Sequence, residues 1–440
     1  MRPTPLLTSV AALLLVPGLA SATTRYVAVN GKDNNPGTIN KPYATLNRAC
    51  QASAPGDIVL VRGGVYYQRV SLSCSGTAAA RLSFRPYSGE TAIIDGSRTE
   101  PDKTLVGIYG HYIDFEGFEI RNATRTGVSA WGVHSLRIAG NTIHDCELGG
   151  IWVGHDQADA NSDITVENNV VHSTGKRFYP HTTTSGWPSA ISIGSTVGGV
   201  VRGNDVHHNH GEGIGVGHSH FLDLIGNRAH DNYSTNLYLD NMQDAVVSGN
   251  FVYTTRDPAH LRYGLPANGI SIANEQSSHT PQQSARLQVI NNIVEGGKYG
   301  IYYGNFQLGT GLHDSLIAHN TVYQAHDTSL RIDNAAHTDT RITQNIVVAM
   351  PGRTLVSVAG SGLAFERNGW YGGGAAAASG VDDINADPLF TLPGVSDAAG
   401  YRLAAASPMA AVGALLAEVG ADYDGAIRTA PTSLGALESP

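Results

Sequence analysis

A short motif, Asn-x-(Val/Ile/Ala), recurs eight times in this 440-residue chain. Its copies begin at Asn141, Asn169, Asn204, Asn227, Asn250, Asn292, Asn320 and Asn345. A second motif, apolar-x-apolar, falls between successive copies of the first. The number of residues from Asn204 to Ile214 equals the number from Asn227 to Leu237. The number of residues from each of these apolar motifs to the next Asn is also the same. Strands this short cannot bury a face alone, so coils of about 23 residues must stack and pair in parallel. The sequence predicts an all-β, right-handed parallel β-helix.

The recurrent asparagine predicts a ladder at one corner of the solenoid. An Asn amide both donates and accepts, so it can bond the same corner in the coils above and below. A leucine-rich horseshoe is the competing solenoid. It is excluded because no helical segment separates the strands.

Both ends of the chain have the character of caps. Pro42 to Ala52 predicts a short amphipathic helix over the first coil. From about Gly360 onward the Asn register disappears and Gly/Ala-rich loops follow. We therefore expect a cap with the first coils at 23–100, the β-helix with insertions at 101–359, and a closing segment at 360–440.

Residues 1–22 have the features of a signal peptide, with Arg2, an apolar run and Ala20-Ser21-Ala22 before the cleavage point. The expected location is secreted or periplasmic. No other apolar run approaches the length of a membrane span. A net charge of −9 argues against a nucleic-acid partner, whose binding depends on Lys and Arg. A monomer is expected.

Three cysteines in an exported chain allow one disulfide. Cys50 and Cys74 are separated by about one coil and are predicted to pair. Cys146 lies in an apolar-alternating stretch and is predicted to be a buried free thiol.

Several segments resemble a known group. They are Tyr26-Val-Ala-Val-Asn-Gly-Lys-Asp-Asn-Asn-Pro-Gly-Thr, Pro55-Gly-Asp-Ile-Val-Leu-Val-Arg-Gly-Gly-Val-Tyr, Asn385-Ala-Asp-Pro-Leu-Phe and Leu434-Gly-Ala-Leu-Glu. The chain resembles the pectate-lyase-like β-helix superfamily, especially polysaccharide lyase family nine and its uncharacterised relatives. The resemblance implies the fold, export and a polysaccharide partner.

The catalytic set of that family has no match here. Its lyases use a calcium ion held by aspartates and a lysine base on a neighbouring strand. The outward mid-strand column lacks lysine; its members are Trp152, Ser192, Gly215, Tyr238, Ser271, Tyr302 and Arg331. None of the family's catalytic residues is carried over.

Two insertions mark the candidate site. The step from Asn169 to Ile191 is more than twice the basal step from Asn204 to Ile214, and the step from Asn250 to Ile270 is twice as long, at the same corner. Two coils without insertion lie between them, so the pattern predicts two walls around a floor about 10 Å wide. The floor carries His207, His208, His210, Glu212, His230, Asp231, Tyr233 and Tyr238, and the walls offer Lys176, Arg177, His181, Trp187, Arg256, His260, Arg262 and Tyr263.

Register predicts two neighbouring pairs on this floor. His208 and Asp231 share the fourth place after their Asn, and His210 and Tyr233 share the sixth. The first pair suits an oriented imidazole and the second a proton-transfer pair. A column of outward histidines, His144, His172, His207 and His230, is expected to be structural.

Metal sites are weakly indicated. His208-x-His210 and His218-x-His220 lie at different corners without a completing Cys or carboxylate cluster, so no transition metal is expected. The oxygen-rich loop from His155 to Asp163 makes calcium possible, although such a sequence is more often an acidic surface loop.

Three functions remain open. The leading hypothesis is a lyase on an acidic, uronate-containing glycan, with His210 and Tyr233 moving protons and a set of side chains binding substrate. That set is Lys176, Arg177, Trp187, Tyr238, Arg256 and Arg262. The second is a glycoside hydrolase with Glu212 and Asp231 as its carboxyl pair. The third is a non-catalytic glycan-binding or surface-structural β-helix.

Overall fold

A computed structural model describes residues 22–181, 186–275 and 283–439. The predicted signal peptide lies outside this range except for Ala22. The described chain forms a right-handed parallel β-helix whose full coil has three strands, one in each of three parallel sheets of 13, 13 and 11 strands. Within the described ranges, no helix is long and apolar enough to cross a membrane.

Sheet I precedes the asparagine corner. Its strands are Thr24–Val27, Ile58–Val61, Leu82–Pro86, Ile113–Glu116, His134–Ala139, Asn161–Glu167, Thr196–Arg202, His220–Ile225, Val246–Ser248, Gln288–Ile290, Leu316–Ala318, Thr340–Thr343 and Leu363–Glu366.

Sheet II follows the asparagine corner. Its strands are Gly64–Tyr66, Ala92–Asp95, Glu119–Arg121, Thr142–His144, Val170–His172, Asp205–His207, Arg228–His230, Phe251–Tyr253, Ile293–Glu295, Thr321–Ala325, Ile346–Ala349, Gly369–Tyr371 and Ile384–Asn385.

Sheet III carries the second sequence motif. Its strands are Val70–Leu72, Val106–Ile108, Val128–Trp131, Ile151–Gly154, Ser189–Gly194, Glu212–Gly217, Thr235–Asp240, Asn268–Ala273, Tyr299–Gly304, Thr328–Ile332 and Thr354–Val358. The 3₁₀ turns are Gly96–Arg98, Lys176–Phe178, Pro258–His260, Ala376–Ala378 and Ala398–Tyr401.

Alternation builds the core. Ile191, Ile214 and Leu237 pair in register on adjacent coils, and all three are fully buried. Their partners two residues on, such as Val216 and Leu239, point inward as well. The residue between each inward pair faces outward, which fixes which side chains are available to a ligand.

The predicted asparagine ladder is present. Asn204 Nδ2 donates to Asn227 Oδ1 at 2.9 Å, and Asn227 Nδ2 donates to Asn250 Oδ1 at 3.0 Å. The ladder continues past Gly360, contrary to the sequence expectation: Asn345 donates to Asn368, whose backbone N–H donates to Asp383 Oδ1 at 2.8 Å. The copy at Asn368 was missed because Gly and Trp follow it instead of the apolar motif.

The N-terminal cap is a helix at Leu46–Ala52, four residues shorter than the predicted segment. Thr45 is its N-cap and accepts from Arg48 N–H at 3.1 Å, so Pro42 lies in the preceding extended chain. Cys50, on the buried face, forms the predicted disulfide with Cys74. Cys146 is a buried free thiol, as predicted.

The C-terminal segment after Asn385 does more than close the end. It returns along the asparagine corner of the late coils, where Gln344 Nε2 donates to Ala414 O and Ala436 N–H donates to Thr321 Oγ1. Arg428 lies under this segment with a side chain only 1% exposed, and donates to Asn291 Oδ1 and Glu438.

Both insertions lie between a sheet II strand and a sheet III strand, at residues 173–188 and 254–267, which is the shared corner that the spacing predicted. They do not stand apart as two walls. The Arg262 guanidinium lies 4.3 Å above the Trp187 ring, so the described parts of the insertions meet over the two coils between them. The open floor expected from the sequence is covered, and Tyr233 on it is 4% exposed.

Candidate active site

The outward face of sheet III forms a trough along the solenoid axis. It comprises a hollow of 630 Å³ and an adjoining one of 270 Å³, which share Trp152, Ser189 and Ser192. Small residues make the trough, because the outward column passes through Gly107, Ser129, Ser192 and Gly215. These small residues leave room for a ligand against the sheet beside Trp152 and Tyr238, which belong to the same column.

Aromatic rings lie flat on this face beside glycines. The Trp152 ring covers Gly154, so that a Cβ atom added to Gly154 would lie 2.4 Å from the ring. In the same way, a Cβ atom added to Gly107 would lie 2.8 Å from the hydroxyl of Tyr109. Trp131 stacks on Trp152 at 5.5 Å between centroids and remains 41% exposed. Flat, exposed aromatic rings are suited to the apolar faces of sugars.

One end of the trough has a basic rim. Arg69, Lys103 and Arg125 line the larger hollow, together with the single acid Asp102. Asp102 is paired with Arg177 at 3.0 Å, which leaves the rim positively charged. This end would favour an anionic group on a bound ligand.

The smaller hollow contains Glu212, which the sequence singled out. Its carboxylate folds back over the strand, so that Oε2 lies 3.2 Å from an added Cβ at Gly215. Ser189 Oγ donates to that oxygen at 2.6 Å. Loss of water around the carboxyl, together with the negative charge of Glu275, raises the pKa of Glu212 to about 7.

Asp240 lies on the next strand, in the same hollow. Burial raises its pKa to about 7, with Glu275 and Glu212 adding in the same direction. Its Oδ1 accepts from the backbone N–H of Glu275 at 2.8 Å and from Asn241 Nδ2 at 2.8 Å, which favours the ionised form. His218 Nε2 lies 3.6 Å from Oδ2.

Tyr238 lies between the two acids on the outward column and donates its hydroxyl to Glu275 Oε1. Burial raises the pKa of this phenol far above its ordinary value, so it stays protonated. Tyr238 is therefore a fixed hydrogen-bonding group within the acid cluster rather than a proton carrier.

Both carboxyls lie beside glycines of one strand, Glu212–Gly217. Glu212 Oε2 lies 3.2 Å from the Cβ position of Gly215, and Asp240 Oδ2 lies 3.8 Å from that of Gly217. The charge of Glu212 adds to the raised pKa of Asp240, and the charge of Glu275 raises the pKa of both carboxyls.

Most other predicted residues lie at the insertion corner instead of the trough. The His181 ring stacks on Tyr233 at 3.4 Å and lies 5.3 Å from His210, so it stands between the predicted pair. Trp187 and Arg262 close the outer side, and Trp187 also lines the trough.

Asp231 is engaged in holding the second insertion. It accepts from His230 Nδ1 and from the backbone and hydroxyl of Thr255, at 2.8 to 2.9 Å. Burial opposes these bonds, yet they and the His230 charge hold the pKa of Asp231 at about 2. The predicted neighbour His208 does lie beside it.

The remaining basic side chains are dispersed. Lys176 pairs with Asp145 at 3.0 Å, and Arg177 pairs with Asp102. Arg256 lines a separate hollow of 460 Å³ with Glu295 and the closing segment. The structure does not gather these three around one point.

The histidine column forms the expected stack on sheet II. His144, His172, His207 and His230 stack at 5.0, 5.2 and 5.0 Å between centroids, and Tyr253 extends the stack at 4.3 Å. Burial among like rings lowers the pKa of His207 to about 3. The His207 ring therefore stays uncharged at neutral pH.

Sequence reasoning missed Asp240 and Glu275, and considered His218 only as part of a metal pair. A signal was present: Asp240 follows the outward Tyr238 by two places, so it shares its face. The asparagine register locates residues at the insertion corner, but it does not show which side chains meet on sheet III.

Comparison with known proteins agrees with this architecture. Residues 25–214 match the family model "Pel9A-like, right handed beta helix region", and residues 181–310 match "Right handed beta helix region". An uncharacterized protein, YwoF of Bacillus subtilis, is 27% identical over 342 residues, 68% of each chain.

Two solved structures align over nearly the whole chain. Pectate lyase Pel9A has a TM-score of 0.56 at 16% identity, covering 96% of this chain and 98% of its own. XylC, solved in complex with xylose, has a TM-score of 0.63 at 13% identity, covering 94% and 99%. At these identities the likeness establishes the fold.

Proposed function

We propose that this chain, of which residues 25–214 match a Pel9A-like β-helix family model, is an exported enzyme that cleaves the glycosidic bonds of a polysaccharide lying along the sheet III trough. The disulfide between Cys50 and Cys74 supports a location outside the reducing cytoplasm. The solved relatives include a pectate lyase and a protein bound to xylose, which supports a carbohydrate ligand.

The observation that carries the proposal is the carboxyl pair. Glycosidic hydrolysis needs one carboxyl that is protonated and one that is ionised on either side of the scissile bond. Glu212 and Asp240 lie on adjacent strands and line one hollow beside the Trp152 ring, and each has a pKa of about 7. We prefer this pair to Glu212 with Asp231, since Asp231 is 4% exposed and saturated with hydrogen bonds.

We assign the acid role to Glu212. Among the described residues it receives one hydrogen bond, from Ser189, so its protonated form is favoured. Asp240 accepts two bonds from N–H donors and takes the role of base. A water held by Asp240 would attack the sugar while Glu212 protonates the leaving oxygen. Direct attack by water on the face opposite the leaving oxygen predicts inversion at the anomeric carbon.

A polysaccharide lyase acting on a uronate-containing glycan is the second candidate. The basic rim of Arg69, Lys103 and Arg125 favours an acidic chain in the trough. In this alternative, His210 and Tyr233 would move the protons, and the insertions would open to admit substrate. Lys176, Arg177, Arg256 and Arg262 would bind the carboxylate from the opened insertions, with Trp187 and Tyr238 as contacts on the trough side.

A panel of neutral and uronate-containing polysaccharides tests both. Hydrolysis releases reducing ends without the ultraviolet absorbance of unsaturated products, whereas a lyase generates both. With a cleaved polymer in hand, Glu212→Gln and Asp240→Asn should each lower turnover at least 100-fold. Glu366→Gln, a carboxyl change on sheet I far from the trough, is the matched control.

The same assay separates the two candidates by residue. Full activity of Glu212→Gln and Asp240→Asn, with loss in His210→Ala and Tyr233→Phe, would exclude the hydrolase and favour the lyase. Binding of a polysaccharide without any product would exclude both and leave a glycan-binding protein.

A further inference from the structure

Three imidazoles from three separate segments meet at the insertion corner. His181 comes from the first insertion, His260 from the second, and His210 from the coil between them. The rings of His210 and His260 are 4.9 Å apart, and those of His181 and His210 are 5.3 Å apart. The fold thus brings together rings that are distant from one another along the chain.

Four ring nitrogens in this cluster are buried without a hydrogen-bond partner among the described residues. They are His181 Nδ1, His181 Nε2, His210 Nδ1 and His260 Nε2. Each unsatisfied buried group costs about 1–3 kcal/mol, so native structures rarely leave several together. A bound ion would account for all three rings at once.

His260 is set up as a ligand. It is 8% exposed, and its Nδ1–H donates to Asp257 Oδ2 at 2.9 Å. That bond fixes the tautomer and leaves the lone pair on Nε2, the unpartnered atom. A carboxylate that orients a histidine in this way is the usual support of a metal-binding imidazole.

We propose that a divalent transition-metal ion, such as Zn²⁺, binds through His181, His210 and His260 and joins the two insertions. Three imidazoles suit zinc, nickel or copper, while calcium and magnesium prefer oxygen ligands. The ring planes of His210 and His260 are nearly parallel, at 14°, so binding would turn the side chains until one nitrogen of each ring points at the ion. The sequence did not predict this site because His181 and His260 lie in insertions without a repeat register.

A neighbouring group, His208, His230 and Asp231, has ligand atoms within 4.8 Å of one another. Its atoms are already partnered: Asp231 accepts from His230 and Thr255, and His208 Nδ1 lies 2.8 Å from His207 Nδ1. We therefore favour the cluster with unpartnered nitrogens. The neighbouring group provides a discriminating control.

The test uses the full chain after dialysis against a chelator. Titration with ZnCl₂ by calorimetry should give one equivalent bound, and CoCl₂ should produce the visible bands of a tetrahedral or five-coordinate site. Excess Zn²⁺ should raise the thermal midpoint by a few degrees, because it binds only the folded state.

Variants locate the site. His181→Ala, His210→Ala and His260→Ala should each weaken Zn²⁺ binding at least tenfold, and Asp257→Asn should weaken it about tenfold. His208→Gln should bind normally. Circular dichroism of the metal-free proteins checks that each variant is folded.

Absence of stoichiometric Zn²⁺ binding and of cobalt bands in the wild type would overturn the proposal. Loss of binding in His208→Gln, with binding kept in the three alanine variants, would also overturn it and move the ion to the neighbouring group. These readouts do not depend on activity, so they are independent of the proposed hydrolysis.

Discussion

At the scale of single residues, Gly215 keeps the acid in position. A Cβ there would lie 2.3 Å from Ser189 Oγ and 3.2 Å from Glu212 Oε2. Gly215→Ala should therefore displace the hydrogen bond that orients Glu212, and we expect turnover to fall at least tenfold with little change in the unfolding midpoint. Gly374→Ala, whose Cβ meets nothing within 4 Å, is the matched control. Equal activity in both would show that the Ser189 contact is dispensable.

The raised pKa of Glu212 has a cost in stability that depends on pH. Its folded pKa of about 7 lies above the ordinary value of 4.5, so the folded state binds the proton more tightly. This tighter proton binding stabilises the folded state fully below pH 4.5, and that stabilisation is lost as the pH rises through 7. Glu212→Gln should then be more stable than wild type at pH 8, by about 3 kcal/mol, and nearly equal at pH 4.

Urea unfolding of Glu212→Gln and wild type at the two pH values measures this difference. Glu366→Gln, a half-exposed carboxyl in ion-pair range of Arg341, should show no such gain. A Glu212→Gln variant less stable than wild type at pH 8 would mean that the carboxylate is well solvated.

Sequence reasoning found part of the site at this scale. Glu212 was named because it lies on the floor between the two insertions, and Tyr238 because it lies both on that floor and in the outward column of the repeat. The sequence paired Glu212 with Asp231 rather than with Asp240, because a register counted from Asn compares residues at one corner only. Which acids meet across sheet III depends on how a side chain such as Glu212 folds back over glycines, and the repeat pattern carries no information about that.

At the scale of elements, the asparagine ladder links successive coils. Asn227 is 1% exposed; its Oδ1 accepts from Asn204 N–H and Nδ2, and its Nδ2 donates to Val201 O and Asn250. Asn227→Ala should leave these buried groups unsatisfied and cost about 2–4 kcal/mol. Chemical unfolding measures the loss, and Asn334→Ala in an exposed turn should cost little.

The capping helix depends on its disulfide. A loop of 24 residues is expected to contribute about 3 kcal/mol through loop closure. The double change Cys50→Ser and Cys74→Ser should lower the stability of Leu46–Ala52 by about that amount. Hydrogen exchange of the helix amides, with the amides of the sheet III strands as a reference, would detect this loss of stability. Equal exchange rates of the helix amides in the variant and in wild type would mean that packing alone holds the cap.

The sequence predicted the structural elements that belong to the repeat. The coil length, the ladder and the shared corner of the insertions all follow from spacing. The contact between the insertions does not, because Trp187 and Arg262 lie in segments with no period and meet through a cation–π contact although they are far apart in the chain.

At the scale of the whole molecule, the C-terminal segment is a strap along the late coils as well as a lid. Arg428 is its buried anchor, and its donors are shared among Asn291, Glu438 and three backbone carbonyls. Arg428→Ala should leave these acceptors unpaired and release the strap, so that limited proteolysis cuts after residue 386 much faster than in wild type. Arg353→Ala, exposed at a turn, should not change the cleavage rate.

The trough runs across six adjacent strands, from Val106–Ile108 to Thr235–Asp240, a length of about 24 Å. Each coil contributes one strand and about 4.8 Å, and each coil is held by contacts only to the coils beside it. Duplication of one uninserted coil upstream of Glu212 would lengthen the platform by a single step and leave the carboxyl pair intact. The length of the trough is thus a whole number of coils, which gene duplication can change one coil at a time.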